Sequence, residues 1–217
     1  QYVTTAKQMV MKDGLAIDMP AGPSEVAILA DKTANAAFLA ADLLSQAEHG
    51  VDSQVVLVTT EEKLILQVMN EIDKQVKLLP RKAIAEKALY NSLCILVKNT
   101  NEGMDLLNSY APEHLIIATK DYVSLADKVV NAGSVFLGNY TPESCGDYAS
   151  GTNHTLPTNG YAMAYSGVSL ESFQKKITFQ EITEDGLRKL GPVVEKMAEA
   201  EQLIAHKEAV SIRLKSL

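Results

Sequence analysis

The chain has 217 residues, with 20 Lys and Arg against 27 Asp and Glu, a formal net charge of −7. Apolar residues at 47% and charged residues at 22% exclude disorder and leave material for a sizeable core. An acidic balance, few aromatics and no basic run exclude a sequence-independent grip on nucleic acid, which needs Lys and Arg clustered against phosphates.

Two cysteines, Cys94 and Cys145, cannot build a disulfide framework or a Cys-rich zinc site, and they fit a reducing compartment. The apolar stretches fall well short of the roughly 20 residues that span a bilayer, and no charged start precedes an apolar signal core. A cytoplasmic protein acting on a small molecule, with no membrane or nucleic-acid partner, is expected.

Taken in chain order, residues 1–22 begin at Gln1 inside an amphipathic segment (Tyr2, Val3, Ala6, Met9, Val10). They are expected to end an upstream domain or form a linker, as in a piece of a longer chain. The run 24–30 reads as a strand, 33–49 as a helix stopped by Gly50, and 55–59 as the next strand. Helices over 61–79 and 81–91 follow, split by Pro80, then a strand over 93–97. A helix over 102–110, a strand over 114–118, a helix over 121–131 and a strand over 134–137 complete the series. Five strands separated by helices predict parallel pairing through right-handed crossovers, hence a three-layer, Rossmann-like α/β domain over 23–167.

Beyond 137 the composition turns to Gly, Asn, Thr, Ser, Pro and Tyr, and 138–167 reads as one long loop of functional type. The remainder, 168–217, is expected as a dimerisation tail, extended over 170–182 and helical over 184–214. Its apolar stripe (Leu187, Leu190, Val194, Met197, Leu203, Ile204) is too narrow to stand alone.

No G-x-G-x-x-G follows a strand and no G-x-x-x-x-G-K is present, so neither a dinucleotide fingerprint nor a phosphate loop can be claimed. Attention falls on the four histidines. His49 ends a helix three residues after Gln46, on the same face; His114 follows Glu113 at a strand entry; His154 lies in the long loop; His206 sits in the tail. Two His with an acid such as Asp147 form an N/O metal set, but without a spacing signature, and a helix-terminal His49, an exposed His206 and a turn-forming Asp147 remain the alternative. Glu113 and His114 are of the types that divide general acid–base work, against a plain reading as a solvated Glu and a strand-edge His. Cys145 as a nucleophile lacks any local group that lowers its pKa. His114 also precedes its strand, whereas ligand sites in open α/β sheets usually lie beyond strand C-termini.

Six stretches then carry a resemblance: I-D-M-P-A-G-P-S-E-V (17–26), A-D-L-L-S-Q-A-E-H-G (41–50), D-S-Q-V (52–55), A-P-E-H-L (111–115), G-D-Y-A-S-G-T-N-H-T-L-P-T (146–158) and G-V-S-L-E-S-F (167–173). Together they resemble the histidinol dehydrogenase family, from one end of the chain to the other, as the C-terminal half of a chain about twice as long. The resemblance implies NAD-dependent oxidation of L-histidinol through the aldehyde to L-histidine, at the end of histidine biosynthesis. It further implies that Gln46, His49, Asp147 and His206 hold one zinc ion, that His114 moves protons and that Glu113 activates water. Substrate contacts would come from Ser24, Gln46, His49, His114, Asp147, Glu201 and His206, with His154 as a further contact. The principal NAD-binding positions would lie upstream of Gln1, and the tail would cross to a partner in a homodimer. A metal-dependent hydrolase, with Glu113 activating metal-bound water, and a non-catalytic half chain binding metal or substrate are the alternatives.

Overall fold

The computed structural model describes residues 2–19 and 22–217, in two compact units, Gln1–Gln174 and Lys175–Leu217. In the first unit, helix α1 (Tyr2–Lys12) leads to strand β1 (Glu25–Ala30), helix α2 (Ala36–Ala47) and strand β2 (Gln54–Thr59). Helices α3 (Glu62–Gln75) and α4 (Lys82–Tyr90) precede β3 (Leu93–Leu96), α5 (Thr100–Tyr110) precedes β4 (His114–Ala118), and α6 (Tyr122–Ala126) precedes β5 (Ser134–Leu137). All pairings are parallel, in the order β3-β2-β1-β4-β5, the expected α/β sheet.

Why the sheet is covered on both sides can be read from its central strands. Along β1, Val26, Ile28 and Ala30 join Val55 and Leu57 of β2 beneath Leu39 and Leu43 of α2, Leu64 and Val68 of α3 and Ala85 and Ala88 of α4. The intervening Ala27 and Leu29 face the opposite way with Val56, Val58, Leu115 and Ile117, against Met104 and Leu107 of α5 and Leu125 of α6. A strand with both faces buried needs apolar residues at every position, which is why β1 and β4 are almost unbroken apolar runs.

Beyond the carboxyl ends of β1 and β4, where an open sheet of this order usually receives a nucleotide, Asp31 closes the backbone. Its carboxylate accepts from the N–H of Thr33 (2.8 Å) and of Lys120 (2.9 Å), and Asn139 Nδ2 donates to the Thr33 carbonyl (3.2 Å). Burial works against the charge of Asp31, but these donors and the Thr33 hydroxyl outweigh it and hold the carboxyl below its ordinary pKa.

Several boundaries differ from the sequence expectation. Helix α2 starts at Ala36 rather than at 33, because the Asn35 side chain caps it by accepting from the N–H groups of Ala37 and Phe38. The helix expected over 121–131 is confined to α6. The expected loop 138–167 contains helix α7 (Glu143–Tyr148) and a single 3-10 turn at Tyr161–Met163. Where an extended run was expected, a 3-10 turn at Leu170–Phe173 is closed by reciprocal capping between Ser169 and Ser172, and no strand forms.

The second unit is a helix pair, α8 (Glu184–Ala200) and α9 (Ile204–Lys215), rather than one continuous helix. Gln202, at φ +61°, turns the chain in the left-handed conformation that commonly ends helices. Gly191 lets α9 approach, since a Cβ there would stand 2.8 Å from Leu214 Cδ1.

Candidate active site

Helix α5 ends at Ala111 in the left-handed region (φ 53°), and Pro112 prevents its continuation. The chain therefore enters β4 directly, with Glu113 and His114 at the amino end of the sheet. In the β1–β4 ladder Val26 is opposite His114, so Glu25 lies beside Glu113. The N–H of Glu25 donates to Glu113 Oε2 (2.9 Å), and the Glu25 carbonyl oxygen lies 3.0 Å from His114 Nδ1. A carbonyl can only accept, so Nδ1 carries the hydrogen and Nε2 is the nitrogen left for proton exchange. Nε2 is buried with no hydrogen-bond partner among the described residues.

Around this ring the charge is negative. Glu113 Oε2 lies 3.6 Å from Nδ1 and Asp147 Oδ1 lies 3.5 Å from Nε2. Burial of the imidazole lowers its pKa, but the Glu113 carboxylate overcomes this, with help from the Glu25 carbonyl and the charge of Glu143, and pushes it up to about 9. The Glu25 carboxyl is raised, first by burial and then by the charge of Glu113, against the Asn159 N–H that donates to its Oε1 (2.8 Å).

Helix α7 supplies the next wall. Glu143 and Asp147 are four residues apart and share one face, and α7 approaches β5 because Gly146 has no Cβ: one would stand 2.7 Å from the Phe136 ring. His114, Glu143 and Asp147 bring one ligand atom each within 4.8 Å of one another. The Ser45 hydroxyl of α2 donates to Glu143 Oε1, and Ser144 Oγ donates to the same oxygen (3.1 Å). Glu143 Oε2 is buried and unpartnered among the described residues. Asp42, one turn before Gln46, is pushed up to about 7 by burial and then by Glu143.

The structure thus gathers Glu113, His114 and Asp147 of the sequence-derived set. Gln46 follows Ser45 on α2, 1% exposed, and both its amide atoms lack partners among the described residues. A buried unpaired carboxamide is costly, and its oxygen fits a metal ligand. His49 is exposed two residues beyond α2, with its carbonyl accepting from Arg81. Ser24 is half-buried just before β1, and His154 is exposed in the loop after α7. Glu201 and His206 belong to the second unit, both exposed, at the end of α8 and the start of α9.

Two residues at the centre, Glu25 and Glu143, were absent from the sequence-derived set. A charged residue opening an otherwise apolar buried strand marks Glu25. Glu143 had the i, i+4 spacing to Asp147 as its signal, hidden while the segment read as loop. Cys94 and Cys145 are both free and exposed, and burial pushes the Cys94 thiol up.

A parallel α/β sheet with a buried imidazole between carboxylates, and unpaired polar atoms on the adjoining helices, defines an α/β protein with acid–base side chains clustered at the amino end of its sheet. Comparison with known proteins makes the class specific. A protein-family model described as histidinol dehydrogenase matches residues 1–214, and the chain belongs to the histidinol dehydrogenase family. It is 64% identical over its whole length to the histidinol dehydrogenase of Bacteroides thetaiotaomicron, covering 51% of that protein. It is 56% identical to that of Vibrio cholerae, again covering 51%. The crystal structure of histidinol dehydrogenase from Elizabethkingia anophelis superposes with a TM-score of 0.95 at 60% identity, covering all of this chain and 50% of that one. The chain thus spans about half the length of the relatives it matches.

Proposed function

We propose that this chain supplies the acid–base and metal-binding residues for the oxidation of L-histidinol through the aldehyde to L-histidine, with NAD as hydride acceptor. The observation that carries the reading is the Glu113–His114 pair, fixed by the main chain of Glu25 with Nε2 left free. In the first oxidation His114 Nε2 takes the hydroxyl proton while the carbon gives up its hydride. In the second, Glu113 draws a proton from water, which adds to the aldehyde carbon, and His114 again receives the hydroxyl proton of the hydrate. No thiol is needed, so Cys145 has no part.

Gln46, His49, Asp147 and His206 would hold one zinc ion, which when bound supplies positive charge and orients the substrate nitrogens. The unpartnered amide of Gln46 supports that assignment. Ser24 and Glu201 are assigned to substrate contact. Because Glu201 and His206 lie on a separately compact helix pair that exposes Leu190, Val193, Met197 and Ile204, we assign that pair to exchange between two subunits of a homodimer.

Metal analysis tests the site. About one divalent ion per chain is expected, released in mild acid as protons compete with the metal for its ligands. Undiminished occupancy in a His49→Ala, Asp147→Ala double variant would sink the assignment.

A further inference from the structure

We propose that the side chain of Glu25 is a positioning residue: it latches the loop after α7 to the entry of β1 and thereby holds the peptide groups that orient Glu113 and His114. The inference rests on the proposed oxidation of L-histidinol and gives a role to a buried carboxyl group which that mechanism leaves unused.

Glu25 opens β1, and the end of a strand frays unless something ties it down. The carbonyl of Ser24 accepts from the Gln54 N–H of β2 (3.1 Å), so the N–H and carbonyl of Glu25 are turned towards β4. The ladder with β4 begins only at Val26 and His114. These two main-chain groups therefore meet the side chains of Glu113 and His114 in place of a strand, and on that side no ladder bond fixes their direction.

The side chain supplies what the ladder lacks. Glu25 is 7% exposed, and its Oε1 accepts from the Asn159 N–H (2.8 Å), 134 residues along the chain. Asn159 and Gly160, at φ 56° and 74°, form the centre of a turn closed by the Tyr161 N–H on the Thr158 carbonyl (3.1 Å), the mirror-image turn that Asn-Gly favours. That closing bond leaves the Asn159 N–H for Glu25. Buried Thr158 fastens the turn a second time, its hydroxyl oxygen accepting from the Gly22 N–H. Leu156, also buried, sits against Gly133, where a Cβ would stand 3.1 Å from Leu156 Cβ and 2.5 Å from the Glu113 carbonyl oxygen. One loop is thus clamped to Glu25 on β1 and wedged against the main chain beside Glu113 on β4.

The latch is separate from the chemistry. Glu25 meets His114 at Nδ1, whereas proton exchange belongs to Nε2. What the Asn159 N–H requires is an acceptor oxygen, which a carboxamide offers as well as a carboxylate.

The test uses a full-length, zinc-loaded protein. Glu25→Met, of similar volume but without an oxygen acceptor, should lower kcat in both oxidations about ten- to hundredfold, the loss that misplaced reacting groups produce, with zinc content and KM for L-histidinol unchanged. Glu25→Gln should recover most of that loss. Hydrogen exchange should find the Asn159 amide protected in the wild type and in Glu25→Gln, and released in Glu25→Met. Unchanged kcat in Glu25→Met, or equal losses in the two variants, would overturn the positioning role, and rapid exchange at Asn159 in the wild type would overturn the latch itself. Should Glu25→Met fail to fold, Glu25→Asp withdraws the acceptor by one methylene, and unchanged kcat there would equally overturn the proposal. A wild-type protein that leaves L-histidinol unoxidised would overturn the oxidation reading instead, and exchange at Asn159 would still decide the latch.

Discussion

The Nδ1 atom of His114 stands 3.0 Å from the backbone carbonyl of Glu25, and the N–H of the same Glu25 donates to the carboxylate of Glu113. One main-chain unit of β1 thus fixes both members of the acid–base pair, and it selects the ring tautomer without using a side chain.

The division of labour between these two residues can be measured. In a full-length protein, Glu113→Gln is expected to slow the aldehyde-to-acid step more than the alcohol-to-aldehyde step, whereas His114→Asn slows both, because only the second oxidation needs an activated water. Separate assays starting from L-histidinol and from the aldehyde give the comparison. Equal losses in both steps for Glu113→Gln would count against it.

His114 also sets a pH dependence. Its folded pKa of about 9 is raised from 6.5, so its protonated form stabilises the metal-free fold by on the order of 3 kcal/mol. That contribution is complete below about pH 6.5 and fades as pH rises through about 9. Base function needs the neutral ring, so turnover in a full-length protein should rise with pH as this imidazole loses its proton. Removing the Glu113 charge in Glu113→Gln should move the titration downward, as read from the imidazole resonances by NMR. A titration unmoved in that variant would show that Glu113 is not the cause.

Gly133 connects the pair to the edge of the sheet. A Cβ at this position would lie 2.5 Å from the Glu113 carbonyl oxygen, inside the turn where Gly133 N–H donates to Pro112 and Ser134 N–H to Glu113. Backbone cannot retreat as a flexible side chain can. Gly133→Ala should cost about 1–3 kcal/mol of stability by overpacking and lower turnover by displacing Glu113. Denaturant unfolding paired with the half-reaction assay would reveal both, and a variant neutral in each would refute the constraint.

Much of the sheet was legible because parallel strands buried on both faces leave unbroken apolar runs, as 26–30 and 114–118 do. The helix α7 was not, since six residues containing Gly146 and Cys145 give no apolar period, and Glu143 disappeared with it. Register is not written in composition either. That Val26 faces His114 follows from packing of the whole sheet, so the role of Glu25 emerged only in three dimensions. Glu113 and His114, by contrast, were visible as an acid–imidazole neighbour pair after a proline, but a solvated Glu and a strand-edge His fitted that spacing equally, and only the family resemblance singled them out.

The tail offers a further measurement. Truncation after Gly167 removes both α8 and α9, including Glu201 and His206, and is expected to weaken dimerisation and zinc affinity together, since each copy would lose residues supplied by the other. Analytical ultracentrifugation with metal analysis tests this. A truncated chain that remains a tight, zinc-replete dimer would remove the exchange from the account.

Because the pair at 113 and 114 is anchored to the most deeply buried strands, β1 and β4, its geometry should persist for as long as the sheet does. Amide protons in such interiors exchange with solvent only through large-scale opening, whereas surface helix ends open locally at far smaller free energy. On heating, the proposed zinc ligands on helix ends, His49 and His206 among them, should therefore loosen before the Glu113–His114 pair. Thermal inactivation would then begin as metal escape from a still-folded sheet, reversible on cooling with added zinc, well before the molecule melts.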